Sequence, residues 1–298
     1  SLIHCSPLSR IEMPDKLDEW KNITQLQSKS LFQILRLAAM KQQKEVNFPI
    51  EKILTVSSFG GYFGRKHNES HGLPASGGNS GMLKALKKEK PDIEIKIIDF
   101  DDFLLESEIA YRIIRELEFT SEFIEVGYPR GERVIFHPVA ADFSDEEAVK
   151  QSLLDKDAVV LATGGAKGIT AEITKSMMIP GMKLIIVGRS EKIDLETIPD
   201  GGTNKSFDHL INSGVEIKYF SVDVRESVAF QKVIEEIYKN YGRIDAVIHG
   251  AGIIEDEHID QKRLDSFDTV FDTKVDTAFL LYKFLKPEFL KLLVFFGS

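Results

Sequence analysis

The sequence holds one cysteine, Cys5. An internal disulfide is therefore impossible. With no second thiol and no histidine cluster, no metal is expected, and a reducing cytoplasm is the natural setting. Positive charge is in the minority. Lys plus Arg number 38 against 47 Asp plus Glu, for a formal net charge of −9. A nucleic-acid groove needs clustered cations to displace counterions, so no nucleic-acid partner is expected. Apolar runs are short, as at Leu292–Phe296. None approaches the length that spans a bilayer, so no membrane segment is expected. The stretch Ser1–His4 has neither a basic region nor a long apolar core, so no signal peptide is expected there.

What is present is the balance of a globular chain, 43% hydrophobic and 29% charged. Its 298 residues fit one large domain or two modest ones. Short β-rich runs alternate with helical periodicity. The candidate strands are Lys52–Ser57, Ile93–Asp99, Ala158–Ala162, Leu184–Val187, Glu216–Val222, Ala246–His249 and Leu292–Phe296. Helical stretches include Leu26–Met40, Glu106–Glu118, Val228–Asn240 and Thr277–Leu285. Apolar strands alternating with helices imply parallel sheets covered on both faces. The rhythm breaks between Gly127 and Lys156, which places a domain boundary there: 1–150, then 151–298.

The chain also carries a repeat. Ile3-His4 returns as Ile248-His249, and the same spacing carries Lys29 onto Lys274. Each lysine precedes an apolar helix and then a strand ending in serine, at Ile53–Ser58 and at Leu293–Ser298. Two tandem Rossmann-like α/β units are expected: the back half of one copy, then the front half of the next. The alternative is coincidence among helix–strand units.

In the second unit, strand Asp157–Ala162 runs into Thr163, Gly164, Gly165, Ala166, Lys167, Gly168 and Ile169, and then a helix. Glycines at such a turn let backbone approach a pyrophosphate, and the helix N-terminus supplies free N–H groups. The next strand ends Val187-Gly188-Arg189-Ser190. An acidic residue there would hold the ribose of NAD, whereas the Arg189 fork suits the 2′-phosphate of NADPH. A solvent-exposed arginine is the alternative. Asp223-Val224 ends the third strand, with a carboxylate placed for an adenine amino group. His249, Gly250, Ala251 and Gly252 end the fourth in a small-residue turn beside ribose or nicotinamide.

These pieces resemble the cofactor set of short-chain dehydrogenases/reductases. The stretch Phe267–Ala278 resembles more narrowly the ketoreductase domains of type I polyketide synthases and polyunsaturated fatty acid synthases. Such domains pair a structural subdomain with a catalytic one, as the repeat does. The resemblance is weak over 1–150 and strong from about residue 157. It implies a degenerate, structural first unit and a cofactor-binding second unit. It implies NADPH-dependent reduction of β-ketoacyl thioesters on an acyl carrier protein, with the other domains of a parent synthase as partners. It gives Lys274 the role of supporting a catalytic tyrosine and Ser298 that of holding the substrate ketone. The family's tyrosine follows that serine by about a dozen residues, beyond Ser298, so the chain as given is expected to lack turnover. Thr170 departs from the family, many of whose members have a third glycine there. Copy one offers Tyr62 four residues after Ser58, far short of the family spacing. A non-catalytic structural or dinucleotide-binding module, and a free-standing reductase of small molecules, are the alternative functions.

Overall fold

The computed structural model describes residues 1–8, 11–42, 48–66, 76–101, 103–119, 121–141, 153–190, 212 and 214–297. The chain forms two compact units, Ser1–Ala141 with Asp256–Phe267, and Asp142–Glu255 with Asp268–Ser298. The single cut expected near residue 150 misses the return of Asp256–Phe267 to the first unit. That return has a packing cause. Ile259 and Phe267 join the apolar cluster of Leu31, Phe32 and Leu35, and the Phe267 ring stacks on Phe32 at 3.8 Å.

The first unit runs β1 (Leu2–His4), α1 (Leu17–Thr24), a π-helical turn (Gln25–Lys29), α2 (Ser30–Gln42), β2 (Lys52–Ser57), α3 (Gly77–Glu89), β3 (Glu94–Phe100), α4 (Glu106–Glu118), β4 (Glu125–Tyr128) and β5 (Val134–Ile135). Its sheet has the order β1-β2-β3-β4-β5, parallel except for β5. Successive side chains on a strand point to opposite faces, and here both faces are covered. Ile53, Ile95 and Ile97 pack with Leu35 of α2 and Leu83 and Leu86 of α3. Their neighbours Leu54, Val56, Ile98 and Phe100 pack with Ile113 of α4. Burial on both faces is why these strands read as continuous apolar runs.

The second unit runs β6 (Val159–Thr163), α5 (Gly168–Met177), β7 (Lys183–Gly188), β8 (Glu216–Ser221), α6 (Ser227–Tyr241), β9 (Ala246–His249), α7 (Leu264–Phe284, from Asp268 on) and β10 (Leu292–Phe295). Its five parallel strands lie in the order β10-β9-β6-β7-β8. Strands β6, β7 and β8 advance in one direction, and the chain then returns to lay β9 and β10 on the other side of β6. This reversal opens a crevice beyond the C-terminal ends of β6 and β9, the place where open α/β sheets bind ligands. The described strands of the first unit follow sequence order and have no such reversal.

The repeat survives in the register. His4 pairs with Thr55 between β1 and β2, and His249 pairs with Phe295 between β9 and β10. The helix expected from Thr277 begins at Leu264 instead. Asp265, Asp268, Asp272 and Asp276 dilute its apolar stripe, so periodicity finds only its last turns.

Candidate dinucleotide site at the switch point

The crevice of the second unit is a cleft of about 450 Å³. Its floor is built by two glycine turns that depend on each other. Gly164 has φ +68°, and a Cβ on it would lie 2.8 Å from the Ala251 backbone N and Cα. Only glycine combines that left-handed backbone with that approach. Across the turn, a Cβ on Gly250 would fall on Thr170 Oγ1. Thr170 stands where a third glycine is common, and the absent side chain at Gly250 is what accommodates it.

Beneath the turns, β6 and β9 are tied side to side. The Gly250 N–H donates to the Thr163 carbonyl at 2.9 Å, and the Ala251 N–H donates to Thr163 Oγ1 at 3.3 Å. Thr163 Oγ1 also lies 2.6 Å from His249 Nδ1. Both side chains are fully buried. Burial, with the nearby Lys274 charge, pushes the His249 pKa down to about 4. The ring is therefore neutral at physiological pH. Thr163 and His249 support the cleft from below rather than line it.

Of the residues singled out from sequence, the structure brings Gly164, Ala166, Lys167, Arg189, Asp223, Val224, Gly250, Ala251 and Gly252 together around the cleft. Gly165 is buried, and a Cβ there would lie 2.6 Å from that of Ala162. Gly168 opens α5 at φ +63°, and Ile169 points its side chain into solvent outside the cleft lining. Lys274 reaches the rim. Its Nζ donates to the Phe296 carbonyl at 2.9 Å, and its Cε would lie 3.1 Å from a Cβ on Gly252. Burial lowers the Lys274 pKa. Ser298 lies outside the described residues.

The donors suit a dinucleotide. The N-terminus of α5 has no side-chain cap, so its first N–H groups stay available. Arg189 and Lys167 add two exposed cations. Asp223 is more engaged than the sequence suggests. Arg225 grips it through Nε to Oδ1 at 3.1 Å and Nη2 to Oδ2 at 2.7 Å, and the Arg225 N–H donates to Oδ1 at 3.0 Å. Those bonds, with the charges of Arg225 and Arg189, hold the Asp223 carboxyl below its usual range. Among the described residues no group of three or more acidic, histidine or cysteine side chains is arranged to hold a metal. No helix there is long and apolar enough to cross a membrane.

Sequence reading missed Tyr219 and Ser190. Tyr219 lines the cleft, and its hydroxyl donates to the Ser190 carbonyl at 2.9 Å. No motif signals it. Tyr219 is one alternating residue of a strand, and its partner is known only once β7 and β8 are paired.

Comparison with known proteins agrees with this fold. A solved N-terminal ketoreductase from the macrolactin assembly line superposes with a TM-score of 0.73 at 22% identity, covering 99% of this chain and 56% of that one. Polyketide synthase PksL of Bacillus subtilis (strain 168) is 24% identical over 242 residues, 77% of this chain and 5% of that protein. The 3-oxoacyl-acyl-carrier-protein reductase FabG of Salmonella typhimurium is 26% identical over 133 residues, 45% of this chain and 50% of that protein. The chain thus spans about one-twentieth of the synthase it matches. The family model described as "KR domain" matches residues 158–298. That stretch, which holds the glycine turns, Arg189 and Lys274, is similar to the KR domain family.

Proposed function

We propose that the chain is part of an enzyme that uses NADPH to reduce β-ketoacyl thioesters, carried on an acyl carrier protein within a multidomain synthase, to β-hydroxyacyl thioesters. The observation that carries this reading is the cleft at the β6–β9 reversal, lined by the Gly164 and Gly250 turns and by Arg189. The polyketide synthase and reductase relatives support the substrate class.

When bound, the nicotinamide supplies a hydride to the β-carbon. The chain's own residues bind and orient, and the alkoxide oxygen takes its proton from the tyrosine that the resemblance calls for after Ser298. The uncapped α5 N-terminus and Lys167 hold the pyrophosphate, and Arg189 holds the 2′-phosphate. Lys274, pinned by the Phe296 carbonyl, presents an ammonium that lowers the pKa of a phenol placed beside it. Ser298, by the resemblance, would polarise the ketone.

The first unit serves as structure. It lacks a strand reversal among the described residues, and its carboxylate Asp99 fills the turn after β2. The Ser57 hydroxyl donates to it at 2.6 Å, and the Phe59 and Phe63 N–H groups donate at 2.7 and 2.8 Å. Amides that would otherwise face a ligand are turned onto the chain itself.

The test is the dissociation constant of NADPH and of NADH, measured on the chain and on Arg189→Ala. Hydrogen bonds to charged groups contribute about 1.5–3 kcal/mol. NADPH should therefore weaken about tenfold or more, while NADH changes little. Equal weakening of both would remove the phosphate from the assignment. In a chain continued through the tyrosine the resemblance calls for, Lys274→Ala should abolish reduction of a β-ketoacyl thioester.

A further inference from the structure

The cleft edge beyond β7 carries a pairing that the glycine motif does not use. Tyr219 sits on β8 opposite Ile186 of β7. Its hydroxyl reaches past the end of β7 to the Ser190 carbonyl at 2.9 Å. Gly188 makes the room. A Cβ there would lie 2.9 Å from the Tyr219 hydroxyl oxygen and 3.4 Å from Cε2. On the other side of Arg189, the Gly188 carbonyl accepts the Val222 N–H at 2.8 Å. Arg189 is therefore bracketed. The residue before it is tied by the sheet ladder, and the residue after it is tied by one phenol.

We propose that Tyr219 is a positioning residue that sets the choice of a phosphorylated over an unphosphorylated adenine ribose, by fixing the backbone from which Arg189 reaches. This rests on the reading of Arg189 as the 2′-phosphate partner. An exposed arginine has many rotamers, and ordering it opposes binding. Fixing its backbone on both sides shrinks the volume its guanidinium samples, which is preorganisation of the phosphate contact. Tyr219 itself is uncharged and matches both cofactors equally. Its loss should register through Arg189, hence on NADPH alone. Gly188 belongs to the same device, because any side chain there displaces the ring.

The experiment measures dissociation constants for NADPH and NADH by titration of the 298-residue chain. The variants are Tyr219→Phe, Gly188→Ala and Arg189→Ala, with far-UV circular dichroism to confirm folding. Tyr219→Phe keeps the ring and removes one hydrogen bond, so NADPH should weaken about 3- to 10-fold. NADH should stay within about twofold, since no phosphate contact is at stake. Gly188→Ala should shift the preference in the same direction, and Arg189→Ala should shift it further. Equal loss of both cofactors in Tyr219→Phe would mean that the phenol only holds the strand pair together, and the proposal falls. No change in Tyr219→Phe beside a clear loss in Arg189→Ala overturns the positioning role and leaves the phosphate reading standing. An unchanged preference in Arg189→Ala overturns both.

Discussion

Gly164 and Gly168 make a matched pair of perturbations. Both have a left-handed backbone, at φ +68° and +63°. A Cβ at Gly168 meets nothing within 4 Å, whereas one at Gly164 lies 2.8 Å from the Ala251 backbone. Alanine in the left-handed region costs about 1–2 kcal/mol. Gly168→Ala should therefore destabilise the second unit by that much and no more. Gly164→Ala carries the same backbone cost, and it must also push the Gly250–Ala251 turn away. Overpacking of this kind costs about 1–3 kcal/mol, for a total of about 2–5 kcal/mol. The steric share is the difference between the two variants. Urea unfolding followed by far-UV circular dichroism reads it. The one tryptophan, Trp20, lies in the first unit, so its fluorescence follows that unit separately. NADPH affinity should drop more for Gly164→Ala, because the displaced turn forms the cleft floor. Equal destabilisation by the two alanines would refute the close-approach argument.

His249 provides a pH test. Its folded pKa lies near 4 against an ordinary 6.5, so between these values the unfolded chain takes up a proton that the folded chain refuses. Stability of the second unit should fall as pH drops through that window, by on the order of 3 kcal/mol, and His249→Gln should flatten the slope. Glu116 tests the first unit. It is buried, accepting Tyr128 Oη at 2.7 Å and Arg133 Nε at 2.6 Å, with Lys96 Nζ at 3.7 Å. Glu116→Ala removes this carboxylate from the buried Lys96 ammonium, which keeps the Ser121 hydroxyl and the Phe123 carbonyl, and leaves Arg133 and the Tyr128 hydroxyl without their acceptor; it should cost about 3–5 kcal/mol, seen as a lower urea midpoint by Trp20 fluorescence, and an unchanged midpoint would show that the network adds nothing.

Periodicity and turn chemistry made much of the second unit legible. β9 is found at Ala246–His249 and β2 at Lys52–Ser57, as their apolar runs predict. The Gly164–Gly168 turn sits between a buried strand and a helix, as its glycines require. Elements with weak apolar content were harder to see. α1 and the short β4 and β5 offer too few apolar positions for a period to emerge.

The sequence by itself determined which residues are buried and where the backbone bends, because hydrophobic alternation and glycine act locally. Strand order is different. Nothing local says that β9 returns to the far side of β6, yet that return creates the cleft. It follows from how the crossovers pack, which is a property of the whole sheet. The same holds for Asp223 in the grip of Arg225, for Asp99 inside the turn after β2, and for Tyr219 on Ser190. Each is a polar group whose partner was chosen by burial and sheet register. A sequence records the groups that must find a hydrogen bond, and the tertiary structure alone decides which neighbour supplies it.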